Sequence, residues 1–426
     1  MIFNKNFLSI IIFLIPLSYI IGIAVTEFFV LLSIGIFLIN NKNKILYLDL
    51  KIVFLFLFSF YIFLNSFFQI GGEYSENLRL SSFMHFRFVI FSLSIFYLCE
   101  IFELIKKRNF FLFLILYILV ILVDSIIQFF YGTNIIGLQA NYARISSFFA
   151  EELILGSYLV RILPVILFFL FYFNLDFRKY TFYLIFFFSL YLISIYVSAG
   201  RTSFFLSLFI FLTIICISKS LRKIIFYSFF LFLFFAIITQ YYNLGNTNPG
   251  NRLFVKTLIQ INKNKLNKEE NVNFKKNMKK KNLYIFSKDH EGHIILALNL
   301  FKDNMIFGVG PKGFRHYCRS VNYSPEVGIC TTHPHNITIQ ILSELGLVGL
   351  AFYITGLTFI LFYFFKSIFN RKFNQDFLSF YCISLGLIIN LFPFIPSGNF
   401  FNNWISIILY YNIGIYLYSF KKCILK

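Results

Sequence analysis

"CTTHPHNITIQILSELGLVGL", residues 330–350, changes character along its length. Its first residues are polar and hold His333, His335 and Asn336, while everything after Gly346 reads as a membrane helix. Titratable groups at the mouth of such a run stand at a membrane face, and the rest of the chain agrees. Of 426 residues, 59% are hydrophobic and only 13% charged, more apolar surface than a soluble core can use. The expected fold is all-α: a polytopic membrane protein of about twelve transmembrane helices, with one large external loop carrying amphipathic helices.

Apolar windows put the spans at 7–25, 27–40, 51–70, 82–102, 110–131, 152–174, 181–199, 202–218, 223–242, 344–365, 376–396 and 401–420. The first follows a short basic start but is read as an uncleaved helix rather than a signal peptide. Another apolar run follows it almost at once, with no small-x-small site leading into a soluble domain. Charges then alternate between connections. One set, from Lys5 through Lys42, Lys44, Lys51, Lys106, Lys107, Arg108 and onward to Lys421, Lys422 and Lys426, holds 18 basic residues. The opposite set of short connections holds three, Arg79, Arg144 and Arg201. Short Lys/Arg-rich loops stay in the cytoplasm, so both termini are expected there. The long segment 243–335 is then outside; its 15 basic and 6 acidic residues do not oppose this, because long loops translocate regardless of charge.

Within that loop, "INKNKLNKEENVNFKKNMKKK" reads as a solvated spacer at 262–281. "DHEGHIILALNLFKDN" reads as an amphipathic helix on the membrane surface, with Ile294, Leu298, Phe301 and Ile295 on its apolar face. His290 and His293 lie one turn apart at its start, and no third ligand nearby completes a metal site. In "FGVGPKGFRHYC", Gly308, Gly310, Pro311 and Gly313 make a tight loop carrying Lys312 and Arg315, with Arg319 just beyond. Exposed backbone N–H groups beside such cations suit phosphate oxygens, although the spacing is not that of a P-loop. Cys318 and Cys330 are the two external cysteines, expected to pair in an oxidising compartment and to stabilise by roughly 3 kcal/mol.

Thr331 or Thr332 can cap a helix with Pro334 near its first turn, which would put His335 in that turn. The positive end of the helix dipole disfavours imidazolium there, so His335 is either a proton acceptor or an interfacial residue making capping bonds. His333, two residues away, diverges from it on a helix.

The order His335-Asn336, nine residues, Gly346, two residues, Gly349 resembles the signature of the O-antigen ligase and polymerase superfamily. "LALNLFKDNMIFGVGPKGF" resembles that superfamily's segment just upstream, with Met305 in place of its proline. "SAGRTSFF" resembles its Ser-x-x-Arg element at a periplasmic helix end. The resemblance divides the chain into N-terminal transmembrane helices (1–180), a ligase-like region (181–365) with periplasmic loop 243–335, and C-terminal helices (366–426).

It implies a bacterial inner-membrane glycosyltransferase that moves an undecaprenyl-diphosphate-linked glycan onto lipid A-core. His335 would act as base. Arg201 would hold the diphosphate, helped by Arg315, Lys312, Arg252, His290 or His293, because the arginine many members carry at the start of the amphipathic helix is absent here. Arg144, Asn336 and His333 would line the substrate entrance. No metal or other cofactor is implied, since the donor bond is already activated; membrane lipid is a partner and nucleic acid is not. The near alternative is a polysaccharide polymerase with the same donor and a second lipid-linked glycan as acceptor. A transporter of lipid-linked sugars is more distant, because the charged candidates cluster at one membrane face.

Overall fold

A computed structural model describes residues 5–40, 49–68, 75–105, 108–141, 144–255, 257–259, 288–318, 330–369 and 375–424. Lys42, Lys44, Lys106, Lys107, Arg319, Arg371, Lys372, Lys426 and the spacer 262–281 lie outside the described residues. The helices are α1 (Lys5–Ser18), α2 (Ile23–Asn40), α3 (Leu50–Phe68), α4 (Ser75–Phe83), α5 (Phe86–Ile105), α6 (Arg108–Tyr131), α7 (Leu155–Tyr172), α8 (Thr181–Val197), α9 (Arg201–Ile217), α10 (Lys219–Tyr241), α11 (Lys288–Asp303), α12 (Phe314–Tyr317), α13 (Ile337–Phe369), α14 (Gln375–Asn390) and α15 (Asn403–Ile424). Among the described residues no strand forms beyond two isolated bridges, Thr133 with Gln139 and Asn141 with Arg144.

Among the described residues, seven stretches are long and apolar enough to cross a membrane: Ile23–Asn40, Leu50–Phe67, Arg79–Glu103, Arg108–Tyr131, Leu155–Tyr172, Lys219–Tyr241 and Ile337–Ile368. Four shorter apolar helices accompany them, Phe7–Ser18, Thr181–Val197, Arg201–Ile217 and Gln375–Asn390. α15 stands at the twelfth expected span but is rich in Tyr, Ser and Asn and joins neither group. The protein is an all-α polytopic membrane protein. On α10, Phe226, Phe230, Phe234 and Ile237 form an exposed stripe that lipid, not water, would cover.

Two compact units divide the chain. The first comprises 1–115, 161–175 and 292–426; the second comprises 116–160 and 176–291. In the first, helices approach closely through small and hydroxyl residues, as membrane helices do. A Cβ on Gly414 of α15 would stand 2.5 Å from Ser92 O of α5. Tyr411 Oη donates to Ile12 O of α1 (2.8 Å), and the Ser33 and Ser94 hydroxyls bond α2 to α5 (3.0 Å). In the second unit α8, α9 and α10 pack side by side, joined by short turns. Ser218 caps α10 by accepting the Leu221 N–H (3.3 Å), and Ser228 Oγ donates to Ile185 O across to α8 (3.1 Å).

One local expectation is corrected. α13 starts at Ile337, not 344, because Asn336 caps it: its Oδ1 accepts the Ile339 N–H (3.0 Å). Thr331 and Thr332 bond to His333 instead, and His335 precedes the helix at φ 57°. α11 packs on the protein through a stripe other than the one expected to face the membrane. Leu296, Ala297 and Leu300 join Val309, Phe314 and Cys318 in a small core, while Ile295 is 56% exposed. "IILALNLF" is apolar almost all round, so periodicity admits two stripes, and tertiary packing chose the other one.

Candidate active site

In the first unit, a backbone junction sets up the histidine segment. α13 breaks at Gly346, where φ 66° and ψ −162° are open to glycine alone among ordinary residues. The break lets the 305–310 strand of chain dock on the helix through four main-chain bonds. Val309 N–H donates to Ser343 O and Gly310 N–H to Glu344 O (2.9 Å each). In return, Leu347 N–H donates to Met305 O (2.9 Å) and Val348 N–H to Ile306 O (3.3 Å). A Cβ on Gly308 would meet the Leu345 and Gly346 nitrogens, so that position too needs glycine. From α3, Asn65 Nδ2 donates to Phe307 O (2.6 Å).

One turn earlier, Gln340 and Glu344 extend the junction. Glu344 is fully buried; its Oε1 accepts the Phe314 N–H (3.1 Å) and its Oε2 the Gln340 amide (2.9 Å). Gln340 also donates to Asn399 Oδ1 (2.8 Å) and accepts the Phe400 N–H (2.9 Å). The loop carrying Lys312 and Arg315 is thereby tied to α13 and to the 399–400 segment. Lys312 donates to Ser81 Oγ (2.6 Å); burial, and then the neighbouring Arg315, pull its ammonium below its ordinary value. The chain joins Cys318 to Cys330, with Cα atoms 5.2 Å apart, which closes this loop onto the histidine segment.

Three imidazoles then converge. The ring of His335 lies 4.1 Å from that of His333 and 5.3 Å from that of His293 on α11, centroid to centroid. His333 is buried: Nε2 lies 3.3 Å from Ser397 O and Nδ1 3.0 Å from the Thr332 hydroxyl. A carbonyl only accepts, so in the neutral ring Nε2 carries the proton and Nδ1 accepts. Both nitrogens are thus spent on orientation. His335 is half-buried, with its carbonyl held by the Ser397 N–H (2.8 Å). Asn336 is committed to the cap and, through Nδ2, to Pro393 O (2.8 Å). Among the described residues, no group of three His, Cys, Asp or Glu side chains is arranged to hold a metal ion. His290 begins the same helix as His293 and is half-buried.

The second unit gathers cations. Arg201 opens α9, and Arg144 reaches it from the loop between α6 and α7: a Cβ on Gly200 would stand 3.2 Å from Arg144 Nη2. Arg252, in the π-turn Asn251–Val255, completes the set. Burial first, then Arg252 and Arg201, pull the Arg144 guanidinium down to about 10; burial and then Arg201 lower that of Arg252. Three like charges held together in a partly desolvated place are costly unless an anion joins them.

Hydropathy and motif spacing pass over several polar residues the structure makes central: Gln340 and Glu344 in α13, Asp124 and Gln128 in α6, and Arg161 in α7, which is buried with its guanidinium 5.5 Å over the Trp404 ring. The signal for them is present, since each is an isolated charge or amide within an apolar run.

Residues 184–354 match the family model described as O-antigen ligase. No curated protein and no solved structure matches the chain. The matched segment holds Arg201, Arg252 and His335 and begins after Arg144. It supports a membrane glycosyltransferase of the ligase or polymerase type, with lipid-linked glycans as substrates. Over residues 184–354 the chain is thus similar to the O-antigen ligase superfamily.

Proposed function

We propose that the protein transfers a glycan from an undecaprenyl-diphosphate carrier onto lipid A-core at the periplasmic face of the inner membrane. The observation that carries this reading is the gathering of Arg144, Arg201 and Arg252 around one small region of the second unit. A diphosphate is a compact polyanion, and planar guanidiniums bind its oxygens in pairs. In the reaction the acceptor hydroxyl attacks the anomeric carbon, and His335 takes its proton. The carbon–oxygen bond to the diphosphate breaks, and its electron pair leaves on the diphosphate oxygen, where the arginines stabilise the charge. His333 and His293 orient the His335 ring. Lys312 and Arg315 are available for the outer phosphate or the sugar.

The test supplies purified protein with lipid-linked glycan and either lipid A-core or more lipid-linked glycan. Transfer to lipid A-core without ladder growth is expected; a growing ladder would instead make the protein a polymerase. His335→Ala should lower either activity by about a hundredfold or more. Full activity in a folded His335→Ala protein removes His335 from the chemistry.

A further inference from the structure

Arg144 lies on a loop, residues 132–150, that has little apolar support at its outer tip: Ile135 and Ile136 are 58% and 66% exposed. Two of its non-glycine residues, Ser147 and Ala150, take left-handed backbone angles (φ 53° and 50°), which L residues avoid. Something must hold such a loop in place, and two side chains of the last turns of α6 do so. Asp124 is fully buried. Its Oδ1 accepts the Ile135 N–H (2.8 Å), and its Oδ2 accepts from Asn134 Nδ2 (3.3 Å) and from the Ser147 hydroxyl. One turn on, Gln128 Oε1 accepts the N–H groups of Ser146 (3.1 Å) and Ser147 (2.7 Å), while its Nε2 donates to Leu138 O (3.1 Å).

The anchors bracket the arginine. One pair grips the loop at 134–135 and the other at 146–147, two and three residues after Arg144. The chemistry of the anchor is specific. Asp124 faces three donors, and an ionised carboxylate is the side chain that only accepts. The Asp124 oxygens go to neutral donors of the loop.

We propose that Asp124, supported by Gln128, is the positioning residue of the anion site: it hangs the 132–150 loop on α6 and so sets the Arg144 guanidinium against the start of α9. The naming of the ligand as a diphosphate rests on the function proposed above; the positioning of Arg144 does not. Asp124 and Gln128 also lie outside the segment matched to the O-antigen ligase family, so this support is supplied by the chain's own N-terminal half.

The experiment uses the full chain in lipid nanodiscs, as wild type, Asp124→Asn, Ser147→Ala and Arg144→Met, with Asp124→Asn combined with Arg144→Met. The probes are inorganic diphosphate, followed by calorimetry, and phenylglyoxal, whose rate of reaction with each arginine is read by mass spectrometry. Asp124→Asn keeps the volume but turns an amide N–H₂ toward the donors. It should weaken diphosphate binding by about tenfold and speed modification of Arg144 several-fold while Arg201 keeps its wild-type rate. Ser147→Ala, which removes one donor, should move both readouts the same way by less. In the Arg144→Met background, Asp124→Asn should cost no further affinity. An Arg144 rate unchanged in both anchor variants overturns the proposal, as does an equal affinity loss with and without Arg144. A wild-type protein that binds no diphosphate sinks the anion reading instead, and the Arg144 modification rate then decides the role of Asp124 by itself.

Discussion

Arg144 illustrates how a single side chain can be unfavourable for folding and useful for binding. Its guanidinium is pulled down to about 10 by burial and by Arg252 and Arg201. The direction fixes the sign of the linkage. Above about pH 10 and up to the ordinary arginine value, the unfolded chain holds this proton and the folded chain releases it. The group's contribution to stability therefore rises with pH across that window. At neutral pH the cation persists at a cost, and a bound polyanion offsets that cost. Two outcomes are expected. Without added anion, Arg144→Met should melt higher than wild type by about 2–4 °C, because replacing a strained buried charge with an apolar chain of similar size is neutral or stabilising. With diphosphate present the order should reverse, since the variant loses the ligand's stabilisation. Diphosphate affinity of the wild type should also fall as pH climbs through about 10. A thermal-shift series with and without diphosphate checks both, and a variant that melts below wild type in anion-free buffer contradicts the first.

At the scale of the element, α13 shows why the glycine of the histidine motif sits where it does. Gly346 is the point where the helix opens to accept the 305–310 segment, and an added methyl there would run into the Ile306 carbonyl. Gly346→Ala combines a forbidden backbone with that collision and should destabilise by about 3 kcal/mol, seen as a lower melting temperature or loss of folded protein on size-exclusion chromatography. Gly356, ten residues later on the same helix, is the control. A Cβ there finds only the Phe54 ring at ordinary contact distance (3.5 Å), so Gly356→Ala should be neutral or stabilise by up to about 1 kcal/mol. Equal losses from the two substitutions would mean that close packing along α13, and not the break, is what glycine serves. The same helix shows what hydropathy can and cannot give. Its apolar body is plain, but its first two turns carry Gln340 and Glu344, polar residues buried in a bonded network, so a hydropathy window begins the span too late. α11 is a different case: its central turns carry apolar residues on more than one side, so one stripe packs on the protein while the stripe with Ile295 is left exposed.

For the whole molecule, the sequence carries the all-α membrane class and the rough limits of the long helices, because an apolar run about as long as a bilayer is thick and bounded by charge is plain to read; about twelve spans are expected, and seven of the described helices are long and apolar enough to cross. The two candidate clusters are less legible, since each is made by tertiary convergence within its own unit. His335 stands out through its spacing to Gly346, but Arg144, Arg201 and Arg252 come from three separate segments, and nothing local says that they meet. Orientation has a physical handle within the second unit. α8, α9 and α10 pass back and forth through short turns, so Lys179, Lys219, Arg222 and Lys223 mark one end and Arg201 and Tyr242 the other. With Arg178 this makes five basic residues in short connections against one, which predicts the Lys179 end in the cytoplasm and the arginine end outside, where a lipid-linked glycan would be presented. The prediction is made concrete with cysteines introduced singly at the exposed positions Lys179 and Tyr242, with Cys99, Cys216, Cys382 and Cys423 replaced by serine. In spheroplasts a membrane-impermeant maleimide should label the Tyr242→Cys protein at once and the Lys179→Cys protein only after lysis. The reverse pattern would turn the arginine cluster toward the cytoplasm and remove the periplasmic transfer reaction with it.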